Sequence, residues 1–226
     1  MLKDNRMRVI ADLVRKGGTV CDVGTDHAFI PVELILSGKC KGAVITDISA
    51  PSLEKGITNV KKSGIKSKVK AFCANGTLGA ELDGVTDVII AGMGGELISS
   101  IIGQDPRLKN EALRFILQPM SRAEELRIFL AENGFETEKE IKVESEGRFY
   151  AILQVRYTGK SFSPDTRHIL LGVTPNAENE ADIRYAEKIL HVLETKLSGI
   201  KMSAQTDTDT SDIDEKIKCI NNFLGK

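Results

Sequence analysis

Apolar and polar residues recur with two different periods along this chain, and the changes between them mark its elements. Over 4–16, Met7, Ile10, Ala11 and Val14 share one face of a helix, with Arg6, Arg8, Asp12, Arg15 and Lys16 elsewhere. Gly17-Gly18 ends it. Thr19–Val23 is a strand-like run that breaks at Gly24. Helical spacing from Pro31 to Leu36 follows, closed by Gly38. The alternation repeats: a strand over Ala43–Thr46 ends on Asp47, and a helix over Pro51–Ser63 has proline near its start and Gly64 past its end. Strands are predicted at Val69–Cys73, Val85–Ile90 and Leu113–Leu117, with a short helix at Glu96–Ile102. Ser121 and Glu124 have capping-box spacing before a helix that Gly134 stops. Glu138–Val143 and Phe149–Val155 alternate around Glu-Gly-Arg, as a hairpin requires.

Strands separated by helices predict an α/β fold with a doubly wound, mostly parallel sheet, and the hairpin makes its last strand antiparallel. Beyond residue 160 the strand signals stop. Ile183, Ala186, Ile189, Leu190, Leu193, Leu197 and Ile200 form one helical seam, and Ile213, Ile217, Ile220 and Leu224 a second. Polar residues 203–212 separate them. The expected organisation is a catalytic domain over 1–160 and an antiparallel, coiled-coil-like helical hairpin over 161–226.

Composition narrows the class. At 226 residues, 41% hydrophobic and 28% charged, the chain is that of an ordinary globular protein. No apolar run approaches the roughly 20 residues that span a bilayer, and the charged start, Met1–Arg6, lacks a signal-like apolar block. A cytoplasmic protein without a membrane partner is expected. Cys21, Cys40, Cys73 and Cys219 have no metal-ligand spacing, so small buried reduced thiols are expected and no metal. The net charge of −1 excludes a global basic field, so any nucleic acid must be held by local patches.

The residues with chemical potential gather at the predicted strand ends, where open parallel sheets bind ligands. In Asp22-Val23-Gly24-Thr25-Asp26-His27-Ala28, Gly24 permits a sharp strand-to-helix turn, but Asp26 and Ala28 stand where a dinucleotide fingerprint has further glycines. Asp26 would repel a pyrophosphate on the helix N-terminus. S-adenosylmethionine carries a sulfonium and an ammonium and no phosphate, so this charge pattern favours it over a nicotinamide cofactor. Asp47, followed by Ile48, lies where a carboxylate can accept from ribose hydroxyls. Asn75-Gly76 could read an adenine edge. Ala91-Gly92-Met93-Gly94-Gly95 puts bare backbone at a strand end, and Met93 either lines the transfer site or belongs to the core. Gln118-Pro119 offers a donor and an acceptor suited to a base edge.

Three of these motifs, Asp22–Pro31 (DVGTDHAFIP), Ile90–Gly95 (IAGMGG) and Leu117-Gln118-Pro119, together resemble the bacterial tRNA (adenine-22-N1)-methyltransferase family, in order over Arg6 to about Val155. The resemblance implies a Rossmann-like class I methyltransferase sheet, S-adenosyl-L-methionine as cofactor, and methyl transfer to adenine N1 of a tRNA. Asp22, Gly24, Thr25, Asp47, Ile48, Asn75, Gly76, Gly92, Met93 and Gly94 are then expected at the cofactor, Asp26 and His27 at the reaction, and Arg6, Phe29, Gln118 and Pro119 at the RNA. Asp26 could instead hold the cofactor's amino group. A monomer or weak homodimer is expected. A methyltransferase for a small molecule or protein, and a non-catalytic RNA-binding protein, are the competing readings.

Overall fold

The apolar residues Val20, Cys21, Val23, Ala43–Ile45, Val88–Ile90 and Phe115–Leu117 are almost wholly buried, as central strands covered on both faces must be. In the computed structural model, which describes residues 2, 4–202 and 209–226, they form the middle of a seven-stranded sheet ordered β3-β2-β1-β4-β5-β7-β6. The strands are β1 (Thr19–Val23), β2 (Gly42–Asp47), β3 (Val69–Cys73), β4 (Val85–Gly94), β5 (Arg114–Ser121), β6 (Phe135–Ser145) and β7 (Arg148–Tyr157). The first five are parallel, while β7 runs antiparallel to both β5 and β6 and inserts between them. Strand order reverses between β1 and β4, which places a crevice at their carboxyl ends.

Helices α1 (Asn5–Leu13), α2 (Phe29–Leu36) and α3 (Ala50–Lys62) pack Ile10, Leu34 and Leu53 on one face of the sheet. On the other face lie α4 (Gly95–Gln104), α5 (Ala123–Glu132), α6 (Thr166–Leu171), α7 (Glu180–Met202) and α8 (Ser211–Leu224), whose Ile98, Leu126, Leu170, Leu190 and Ile220 join one core. Both seams of the tail point inward, with Ala186, Ile189, Leu190, Ile213 and Ile220 buried. Lys226 Nζ lies 3.8 Å from Glu187 Oε1, so the end of α8 returns to the start of α7. The expected polar connection, Ser203 to Asp212, lies outside the described residues up to Thr208.

The base of the tail is fixed by a buried ion cluster. Arg127 Nη2 lies 2.6 Å from Glu140 Oε1 and Lys142 Nζ 2.9 Å from the same oxygen, the three side chains being at most 1% exposed. Arg127 also donates to the Ile169 and Leu170 carbonyls and to the Tyr185 hydroxyl, and Lys142 to the Leu171 carbonyl. Burial alone would raise the Glu140 pKa, but Arg127 and Lys142 hold it below its ordinary value.

Four expectations are corrected. β4 continues through the glycine-rich segment to Gly94, pairing Ala91, Met93 and Gly94 with Gln118, Pro119 and Ser121 through two register shifts. That pairing keeps Ser121 extended in β5, so it does not cap α5. The cap position falls to Arg122, at φ 57° with no side-chain cap bond. The short α6, capped by Asp165, which accepts from His168 N at 2.7 Å, was not foreseen because six residues carry no period. Cys73 is exposed at a strand end, whereas Cys21 and Cys40 are buried.

Candidate functional site

The turn after β1 is built on two backbone bonds: Gly24 N and Thr25 N both donate to the Thr46 carbonyl, at 2.8 and 2.9 Å. Gly24 has φ +74°, and a Cβ there would collide with Met93 Cε. The turn after β1 therefore touches the end of β4, so Gly24 and Met93 meet although 69 residues part them in sequence. Gly92, at φ +80°, has open space where its Cβ would stand. Asp22 accepts a hydrogen bond from Thr25 Oγ1. Burial pushes its carboxyl up to about 6, against the Thr25 bond, and nearby Asp47 adds to the rise. Asp47 accepts from Ser49 N at 2.7 Å, which shapes the turn into α3, and Ile48 beside it is 72% exposed. Asn75 is exposed and donates to Gln104 Oε1 at 3.3 Å, while Gly76 is buried against Ile101.

Asp26 and His27 project from the same loop. Asp26 Oδ1 lies 2.9 Å from Lys55 Nζ and Oδ2 lies 3.2 Å from His27 Nε2. The Lys55 hydrogen bond, then the charge of His27, holds the Asp26 carboxyl below its ordinary value. The His27 ring stacks on Phe29 at 5.0 Å, and Phe29 is half exposed. Ala28, left-handed at φ 53°, turns the chain into α2 two residues before the expected start. Lys55 and Asn59, which donates to the His27 carbonyl at 2.9 Å, carried no sequence signal. Their pairing spans about thirty residues, and both read as ordinary polar positions of a helix.

Gln118 is not where a base reader should be. Gln118 is fully buried. Its Oε1 accepts from Gly92 N at 3.1 Å and from Arg6 Nη1 at 2.8 Å, and its Nε2 donates to the Pro119 carbonyl at 2.8 Å. The amide is thus spent on holding the Gly92 backbone. Arg6 is anchored by Asp4 at 3.1 Å, lies 5.4 Å from the Tyr150 ring, and keeps only 18% of its side chain exposed. Pro119 is buried beside Met93, and Met120 is the exposed residue of that strand end. Base reading by the Gln118 amide is therefore corrected to support of the end of β4. Among the described residues no cluster of three or more His, Cys, Asp or Glu could hold a metal, and no helix is long and apolar enough to cross a membrane.

An open sheet whose switch-point crevice is acidic and glycine-turned is the arrangement of Rossmann-like methyltransferases. A family model described as a methyltransferase domain matches residues 3–153. Over 217 residues the chain is 27% identical to the tRNA (adenine(22)-N(1))-methyltransferase of Bacillus subtilis strain 168, covering 94% of this chain and 90% of that protein. The crystal structure of Streptococcus pneumoniae Sp1610, described as a candidate tRNA (m1A22) methyltransferase, is 30% identical and superposes with a TM-score of 0.87, covering 99% of this chain and 100% of that one. The same protein solved in complex with S-adenosyl-L-methionine, at the same identity and coverage, gives 0.84. The chain belongs to the methyltransferase-domain family and, within it, to the tRNA (m1A22) methyltransferases.

Proposed function

We propose that this protein methylates N1 of an adenine in tRNA, adenine 22 by the name of its Bacillus subtilis relative, using S-adenosylmethionine. The observation that carries the reading is the acidic switch-point crevice, with Asp22 and Asp47 at the ends of adjacent strands and Asp26 on the loop between β1 and α2. These charges disfavour a pyrophosphate and suit a cationic cofactor.

The residues fit that cofactor. Gly92 leaves backbone uncovered at the end of β4, facing the turn at Gly24, and the raised Asp22 carboxyl would ionise fully beside a cation. Asp47 and Ile48 would hold the ribose side, Asn75 and Gly76 the adenine edge, and Thr25, Met93 and Gly94 the remaining wall. S-adenosylmethionine supplies the methyl: the adenine N1 lone pair takes it as the carbon–sulfur bond breaks and its electron pair stays on sulfur. N1 has no proton to lose, so no strong base is needed. Asp26 stabilises the positive charge that develops on the base, and the stacked His27–Phe29 pair flanks it. Most of the acceleration comes from holding base and cofactor in line. Residues 1–160 then perform the chemistry, and the helical segment 161–226 is the accessory part.

Unmodified tRNA incubated with protein and cofactor, then digested and analysed by mass spectrometry, should gain 1-methyladenosine. Absence of any methylated nucleoside while the cofactor still binds rules out an RNA substrate. Asp26→Ala should lower turnover on the order of 100-fold or more. Near-normal turnover would remove Asp26 from that role.

A further inference from the structure

Asp26 needs a free carboxylate to meet a cationic base, and here it is already paired with Lys55. Lys55 donates to Oδ1 at 2.9 Å, and His27 Nε2 lies 3.2 Å from Oδ2. A carboxylate neutralised by an ammonium offers little to a second positive charge. The pair is an open one, with both Asp26 and Lys55 side chains 54% exposed. Exposed ion pairs contribute little, so exchanging this one for another partner is nearly free.

Beside the pair lies a shallow cleft of about 330 Å³ lined by His27, Pro51, Glu54, Lys55, Thr58 and Asn59. Beside Lys55 the cleft carries the Thr58 hydroxyl and the Asn59 amide, whose Nδ2 donates to the His27 carbonyl at 2.9 Å. Its one carboxylate, Glu54, is paired with Lys61 at 3.7 Å. Such a lining suits an anion, and the anion carried by the proposed substrate is a phosphodiester.

We propose that the Lys55–Asp26 pair is a latch opened by a phosphate of the bound tRNA: Lys55 moves onto the phosphate in this cleft, and Asp26 is released to the reacting base. The inference rests on the reading of the protein as a tRNA methyltransferase. It makes Lys55 a positioning residue, acting on the reaction through Asp26, and makes the active carboxylate available only when RNA is seated. The carboxylate of S-adenosylmethionine could also attract Lys55. The phosphate is favoured because Lys55 stands half exposed on the second turn of α3, bordering the outward cleft.

The test is tRNA binding by the full chain across a salt series, for wild type, Lys55→Gln and Lys55→Arg, with cofactor affinity measured by calorimetry. Lys55→Gln should bind tRNA about tenfold more weakly, with a salt slope shallower by about 0.7–0.9, the value of one phosphate contact. Cofactor affinity should not change, and KM for tRNA should rise without a fall in kcat. Lys55→Arg should restore the slope. An unchanged slope with reduced kcat would overturn the latch, leaving Lys55 as a prop for Asp26. Weakened cofactor binding with unchanged tRNA binding would overturn it in favour of the cofactor carboxylate. If wild type binds tRNA but methylates no adenine, the functional reading fails, whereas the slope comparison still decides the phosphate contact.

Discussion

Replacing Gln118 by Leu should damage the protein by a calculable amount, because the amide has a full set of partners and no solvent. Gln118 is 0% exposed. Leucine fills similar volume but takes away the acceptor for Gly92 N at 3.1 Å and for Arg6 Nη1 at 2.8 Å, and the donor to the Pro119 carbonyl at 2.8 Å. The buried Pro119 carbonyl left unpaired costs about 1–3 kcal/mol, and the lost bond to the charged Arg6 about as much, while the exposed Gly92 N–H can turn to water. Arg6 keeps its Asp4 partner and 18% exposure, so it recovers part of its loss. The total should be about 3 kcal/mol. For a chain of this length that lowers Tm by roughly 6–12 °C, read by calorimetry or circular dichroism. The Gly92 backbone also loses its anchor, so cofactor affinity measured on folded protein at low temperature should fall. A Tm within about 2 °C of wild type, together with unchanged cofactor affinity, would refute the claim that Gln118 supports the end of β4.

Burial pushes the Asp22 carboxyl up to about 6, so it is partly protonated near neutrality until a cation arrives. Cofactor affinity should therefore strengthen as pH rises through about 6 and be flat there in Asp22→Asn. Without cofactor the sign reverses. A carboxyl whose folded pKa exceeds its unfolded value of about 3.9 stabilises below that value, and the contribution is lost as pH rises through the folded pKa. Wild type should lose Tm relative to Asp22→Asn between about pH 4 and 7, and parallel Tm profiles would sink this account. Glu140→Ala leaves Arg127 and Lys142 buried without their carboxylate and should cost about 3–5 kcal/mol in denaturant unfolding. A loss under 1 kcal/mol would mean that water or Asp182, whose Oδ1 is 4.0 Å from Lys142 Nζ, replaces it.

Periodicity and glycine punctuation were enough to read the parallel strands, the helices between them, the closing hairpin and the two seams of the tail. These are local signals: alternation follows from a pleated backbone, and each seam from 3.6 residues per turn. The acidic turn at Asp22–Asp26 was also legible, because a carboxylate where a phosphate site needs glycine is a chemical statement in one dimension. The partners of those residues were not legible. Gln118 looked like a base reader because an amide after a strand says nothing about which way it faces. Its burial depends on Arg6, more than a hundred residues away, and on Gly92, held beside it by the pairing of β4 with β5. Nothing near Lys55 marks it as the partner of Asp26, since α3 brings it there only after β2 pairs with β1. Ser121 has the spacing of a cap, but its backbone was already claimed by Gly94 in the sheet. The elements, and the charge at the turn after β1, follow from neighbours in the chain. Whether each polar group at the strand ends is free to meet a ligand or already spent on its neighbours depends on the folded arrangement, because hydrogen bonds and ion pairs across the sheet join residues that share no local pattern.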